Sequence, residues 1–161
     1  MQFSEKKAAQ VAAFFLHRAG GRMERLKLMK LMYLAERASY QKFGEPMIGD
    51  KLVSMDNGPA LSMTLNHMNR FQPSEPEGWE SWVSDAELEI MESVWKEYGR
   101  YGSFQLADLT HEICPEWEDP HGSVLPITQS RLLRSLGFDA QTAKALEERI
   151  EENRQLDAAF R

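Results

Sequence analysis

The chain has 161 residues, of which 42% are hydrophobic and 27% are charged, and its formal net charge is −6. This composition is typical of one globular domain, and its overall acidity argues against non-specific nucleic-acid binding. A single cysteine excludes an internal disulfide, and no apolar run approaches the roughly 20 residues that span a bilayer. The first 15 residues, MQFSEKKAAQVAAFF, are typical of a helix and not of a signal peptide. We therefore expect a cytoplasmic protein without a membrane segment.

The charge is divided unevenly along the chain. Residues 1–42 carry nine Lys or Arg and three Asp or Glu, a charge of +6, whereas residues 43–161 carry ten and twenty-two, a charge of −12. Such polarity can steer a charged partner during association. The alternative interpretation is that two solvated helices are simply basic.

Two helices are predicted in the first 43 residues. Ser4 can cap the first, whose apolar residues recur at helical spacing up to about Arg18. The second, at about 23–43, is apolar over most of its circumference, and Gly44 is expected to end it. A helix with that pattern is predicted to be central, with several other elements packed around it.

A short β element is predicted near residues 46–56. Residues 51–55, KLVSM, alternate in polarity and are β-prone. The stretch Asp56-Asn57-Gly58-Pro59 predicts a turn, because Asn and Gly tolerate positive φ and Pro restricts the exit. Pro59 is then expected to open the next helix at its first position.

Further helices are predicted after residue 80, each with its own capping residue. A capping box of Ser84 and Glu87 is expected to begin the first of them, which ends at Gly99. The other expected N-caps are Ser103, Thr128 and Asp139. Residues 115–126 are predicted to form a loop. We therefore predict a mainly α fold, a compact single domain of about seven helices with a short strand or hairpin element.

His111, Glu112 and Cys114 suggest a metal site or a nucleophile. A zinc-binding helix needs two ligands four residues apart and a third elsewhere, whereas His111 and Cys114 are three apart and no second Cys exists. A Cys–His nucleophile pair needs a mutual hydrogen bond, which adjacent residues at a helix end rarely form. Glycine-rich phosphate-binding motifs are also absent. We predict no catalytic residue, no metal and no cofactor.

Tryptophans in polar loops are candidates for partner binding. Trp79 and Trp82 lie in one such loop and Trp117 in another, where tryptophans either pack back onto the fold or anchor an interface. The acidic stretch 75–92 is either a solvated face or a docking face for a basic protein. The predicted partner-binding residues are Trp79, Trp82, Glu87, His111 and Trp117.

Three segments taken together resemble a known family. The first, LKLMKLMYLAERASYQKFGEPMIGDKLVSMDNGPAL, holds Tyr33 and a strand followed by Gly58-Pro59. The second, YGSFQLADLTHEICPEW, holds Thr110-His111-Glu112 and a Pro-x-Trp, and the third is Leu125-Pro126-Ile127. Their order is similar to that of the Panacea domain, the SocA-like antitoxin family of bacteria and their phages, over about residues 5–137.

The resemblance implies a non-enzymatic binding domain at 1–137, with the charged helix 138–161 packed on it or extending from it. Family members neutralise unrelated toxins by direct contact, and one described member delivers its toxin to the ClpXP protease. The implied partner is therefore a protein, and above all a cognate toxin. The alternative is a proteolytic adaptor or a phage-associated regulator without its own toxin. The structural signature implied by the resemblance is Tyr33, Gly58, Pro59, Thr110, His111 and Glu112.

Overall fold

The structure is a computed structural model that describes residues 3–70 and 82–160. These ranges hold seven α-helices, a short 3-10 helix and three strands. In chain order they are α1 (Glu5–Arg18), α2 (Arg25–Phe43), β1 (Leu52–Met55), β2 (Gly58–Leu61), α3 (Ser62–His67), the 3-10 helix (Met68–Arg70), α4 (Asp85–Tyr98), α5 (Ser103–Ile113), β3 (Leu125–Ile127), α6 (Gln129–Ser135) and α7 (Ala140–Ala159). The prediction of a mainly α domain with about seven helices and a short hairpin is confirmed.

Helix α2 lies at the centre of the fold. It contacts α1, α4, α5, α6 and strand β2, and apolar residues on several of its faces are buried, among them Leu31 and Met32. Gly44 ends the helix in the left-handed region at φ 70°, with its N–H donated to the carbonyl of Tyr40. The prediction of a central helix is confirmed: the other elements that contact α2 are positioned by packing against it.

The three strands form an antiparallel sheet in the order β2-β1-β3. The predicted helix start at Pro59 is wrong, because residues Gly58–Leu61 form β2 and α3 begins only at Ser62. Proline lacks an N–H, but β2 lies at an edge of the sheet, where one missing donor is tolerated. The predicted loop at 115–126 is also corrected at its end, since Leu125–Ile127 pairs with β1.

Most helix starts follow the predicted caps. Ser84 and Glu87 form the expected capping box at α4. The N-caps predicted at Ser4, Thr128 and Asp139 are confirmed, each accepting a backbone N–H through its side chain. The cap predicted at Ser103 is wrong: Gly102 holds that position, and the Gln105 side chain accepts its N–H at 3.1 Å. The glutamine satisfies the N–H of the N-cap residue, whereas Gly102 has no side chain that could accept an N–H of the first turn.

Helix α7 packs against the domain through its first half. Ala143 and Ile150 are buried, and Arg149 donates to the carbonyl of Phe43 at 3.0 Å. After Ile150 most side chains are exposed, including Leu156 at 55% and Phe160 at 86%. None of the helices described is long and apolar enough to cross a membrane.

Candidate functional site

The end of α5 and the β1–β2 hairpin meet through two aromatic rings. His111 Nε2 lies 3.0 Å from the carbonyl oxygen of Asp56, and Trp117 Nε1 donates to the carbonyl of Met55 at 2.8 Å. The rings pack edge to face with centroids 4.3 Å apart. Since a carbonyl only accepts, His111 carries its proton on Nε2 in this contact. We call His111, Trp117, Met55 and Asp56 the ring clasp, which holds the hairpin against α5.

The start of strand β2, Gly58-Pro59, lies directly on a buried lysine. Lys30 Nζ donates to the carbonyl of Pro59 at 2.8 Å, and its side chain is 2% exposed. Gly58 has a φ of 109°, and a Cβ at this position would lie 2.7 Å from Thr110 Oγ1. Thr110 is itself fully buried and donates to the carbonyl of Ala107 at 2.6 Å. Helices α2 and α5 therefore meet the hairpin at a position that accommodates only glycine.

A buried glutamate joins α2, the segment after α5, and α6. Glu116, which is 0% exposed, accepts from Tyr33 Oη at 2.8 Å, Arg37 Nε at 2.7 Å and Ser135 Oγ at 3.0 Å. Arg131 also donates to its backbone carbonyl at 2.6 Å. Burial, together with the negative charge of Glu116, raises the pKa of Tyr33 well above its usual value. Tyr33 therefore stays protonated and keeps donating.

Sequence reasoning missed Lys30, Glu116 and a third buried ionisable residue, Glu36. The Glu36 carboxylate accepts the backbone N–H groups of Ile48 at 2.9 Å and Gly49 at 2.8 Å, so it organises the turn before β1. The spacing of Tyr33 and Arg37 could have indicated the Glu116 site. These two polar side chains are four residues apart, so they share one face of an otherwise apolar helix, and this pattern suggests a buried acceptor between them.

The predicted partner-binding residues do not all lie together. His111 and Trp117 belong to the ring clasp, whereas Trp82 is 40% exposed with Lys6 Nζ 5.8 Å from its ring centroid. Glu87 forms an ion pair with Lys7 at 2.6 Å and accepts the Ser84 N–H, so its carboxylate is already occupied. Trp79 lies outside the described residues. Among the signature residues, Tyr33, Gly58, Pro59 and Thr110 are buried, and Glu112 is exposed on α5.

The cysteine is buried and is not grouped with the histidines as a set of metal ligands in the described part of the chain. Burial, reinforced by the charge of Glu116, raises the pKa of Cys114 to about 12, so its thiol stays protonated at neutral pH. Within 3–70 and 82–160, no three side chains among His, Cys, Asp and Glu converge as metal ligands. In the described part of the chain, the buried polar groups act as contacts between elements.

An open groove of about 470 Å³ adjoins the ring clasp and shares Met55 and Asp56 with it. We call it the hairpin groove. It runs between the N-terminal half of α2, the β1–β2 hairpin, α3 and the loop 122–124. Its apolar lining includes Leu26, Met29, Met55, Leu65 and Val124, and Lys30 also lines it. The groove therefore combines apolar walls with a buried cation.

The buried ammonium of Lys30 should give the protein a distinctive pH dependence. Burial lowers the pKa of Lys30 from 10.5 to about 8. Below about pH 8 both the folded and unfolded states hold this proton. Between pH 8 and 10.5 only the unfolded state holds it, so the free energy of unfolding rises with pH.

We expect wild type to gain up to about 3 kcal/mol relative to Lys30→Met over this interval. Urea unfolding of both proteins from pH 7 to about 10.5 measures the difference, and other titrating groups cancel in the comparison. A difference that stays constant with pH would contradict the prediction.

Comparison with known proteins adds one finding to this geometry. A family model described as antitoxin SocA-like, Panacea domain, matches residues 28–118, which is more than half of the chain. The matched range starts inside α2 and ends just after Trp117, so it contains the ring clasp, Lys30 and Glu116. It is shorter than the range 5–137 that the resemblance suggested. Searches of curated proteins and of solved structures found no match.

Proposed function

This chain belongs to the antitoxin SocA-like family defined by the Panacea domain, and from that premise we propose that it neutralises a cognate toxin by direct protein–protein contact. The family match carries the proposal. The fold supports it with features suited to recognition, namely the ring clasp and the hairpin groove, which adjoin each other. A stable complex of this kind buries about 800 Å² on each partner, enough to cover the active site of a small toxin.

Co-expression with the product of the neighbouring gene tests the proposal directly. If that product arrests growth when expressed alone, the chain should restore growth and co-purify with it as a stoichiometric complex. A toxic neighbour that is neither bound nor neutralised contradicts the proposal. Loss of the partner protein over time, with its half-life restored when the host protease is deleted, favours the adaptor function instead.

Trp82 offers a point mutation that separates binding from stability. Its indole is 40% exposed, and exposed tryptophans are frequent interface anchors. We expect Trp82→Ala to weaken binding to the toxin by about tenfold or more, with little change in melting temperature. Isothermal titration calorimetry and thermal unfolding of the same protein samples measure the two effects.

Phe43 is a matched control for Trp82. It is 38% exposed, and Lys42 Nζ lies 5.5 Å from its ring centroid, much as Lys6 lies near Trp82. Phe43→Ala should therefore remove a similar exposed ring and cation–π contact while leaving affinity within about twofold. Equal losses from both substitutions would show that Trp82 has no special role in binding.

A further inference from the structure

Lys30 is a buried cation with few partners. Its ammonium has three N–H donors, and within the described residues the carbonyl of Pro59 accepts one of them at 2.8 Å. No carboxylate in the described ranges forms an ion pair with it. A methionine of nearly the same length would fill this space without a buried charge. Burial of this charge costs desolvation energy that one hydrogen bond offsets only in part, and such a residue is a candidate for recognition.

The surroundings of Lys30 favour an anion attached to an apolar group. Lys30 lines the hairpin groove, and Arg25, in the first turn of α2, lies at its rim. Asp56 also lines the groove, but its carboxylate already accepts the N–H of Gly122 at 3.0 Å. The groove thus presents two cations, one engaged carboxylate and apolar walls that include Met29 and Val124.

We propose that the hairpin groove binds a short internal segment of the toxin in which a glutamate adjoins an aliphatic residue. The glutamate side chain would reach the Lys30 ammonium, and the aliphatic neighbour would contact the methionines and Val124. Lys30 is only 2% exposed, so a narrow, flexible side chain with a terminal carboxylate is the acidic group best suited to approach it from the groove. This inference rests on the proposed function, because it names the part of the toxin that is recognised.

A peptide selection on the intact protein tests the groove without knowledge of the toxin. Random peptides displayed on phage and selected on wild type should be enriched in glutamate beside Leu, Ile, Val or Met. A selected peptide and its Glu→Gln counterpart are then titrated by fluorescence anisotropy. On wild type the Gln peptide should bind at least about tenfold more weakly. On Lys30→Met the difference between the two peptides should shrink several-fold, because the ammonium is gone and only Arg25 at the rim still favours the glutamate.

Two further variants provide the controls. Lys27 lies on the same helix outside the groove, where its Nζ donates to the carbonyl of Gly99 at 2.7 Å, so Lys27→Met should discriminate between the peptides as wild type does. Val124 is 55% exposed, so Val124→Glu should fold normally and repel the acidic peptide. Selected peptides without an acidic residue, or undiminished binding to both Val124→Glu and Lys30→Met, would overturn the inference.

The toxin assay separates this inference from the proposed function. A toxin that wild type, Lys30→Met and Val124→Glu all neutralise equally well leaves the antitoxin function intact and overturns the groove as the recognition site. A neighbouring toxin that wild type does not bind overturns the antitoxin function. In that case the peptide selection alone shows whether the hairpin groove binds a glutamate-containing segment.

Discussion

Replacement of Glu116 with alanine should lower the free energy of unfolding by about 3 to 5 kcal/mol, the loss typical of removing one member of a buried ion pair. The carboxylate is fully buried and accepts from Tyr33, Arg37 and Ser135. Without it, the Arg37 guanidinium keeps its charge in a site where its side chain is only 16% exposed. The tyrosine hydroxyl also loses its acceptor, which adds a desolvation cost.

Glu118 provides a matched control two residues away. Its carboxylate is 59% exposed and lies 3.3 Å from Arg131, so it forms a surface ion pair with weak coupling. Glu118→Ala should change stability by less than about 1 kcal/mol. Urea unfolding of both variants, with unchanged m-values, measures the contrast. A loss below about 1 kcal/mol for Glu116→Ala, or equal losses for both, would contradict a central structural role for Glu116.

The effect of Glu116 should extend to the ring clasp and the hairpin groove. Trp117 follows it directly in the chain and donates to the carbonyl of Met55. The segment after α5 is therefore anchored on one side by the buried carboxylate and on the other by the ring clasp. In a Glu116 variant that still folds, we expect the hairpin and the groove beside it to become less ordered, because one of these two anchors is gone.

Local signals explain why most of the helices were predictable from the sequence. The capping box of Ser84 and Glu87 and the cap at Asp139 depend on residues three positions apart, so the sequence alone determines them. Pro59 shows the limit of such signals. It fits the first turn of a helix and an edge strand equally well, and only the pairing of β2 with β1 decides between them.

The candidate site was less predictable because its contacts join distant parts of the chain. Lys30 meets a carbonyl 29 residues away, and Glu116 meets Tyr33 across 83 residues. Periodicity showed that α2 is central, but it did not show which of its polar residues point inward. His111 and Trp117 stood out because of their residue type, whereas Lys30 looked like one of many surface lysines.

Helix α2 organises the surrounding loops through its buried polar residues. Lys30 binds the start of strand β2 at Pro59, Glu36 binds the turn before β1, and Arg37 binds Glu116. Each of these polar groups is hydrogen-bonded to a segment that packs beside the helix. A central helix of this kind restricts the conformations of the segments around it, and such preorganisation reduces the entropy lost in any binding event.

Gly58→Ala should test how closely α2, α5 and the hairpin are packed, with an expected loss of about 3 to 4 kcal/mol in the free energy of unfolding. A φ of 109° is strained for any residue with a Cβ. The new methyl group would also lie 2.7 Å from Thr110 Oγ1 and 3.4 Å from Lys30 Nζ. Both groups are buried, so neither moves away without disturbing its own hydrogen bond.

Gly122→Ala is a control that shows how much of the loss in Gly58→Ala comes from backbone strain and how much from steric contact of the new methyl group. Gly122 has a φ of 84°, and nothing lies within 4 Å of a Cβ built there, so this substitution should cost only about 1 to 2 kcal/mol. Introducing Thr110→Ala into the Gly58→Ala variant removes the crowded oxygen and should recover part of the remaining loss. Urea unfolding of the single and double variants measures both effects. Equal losses for the two glycine substitutions, with no recovery in the double variant, would show that the hairpin is loosely packed and that the Lys30 site is not rigidly formed.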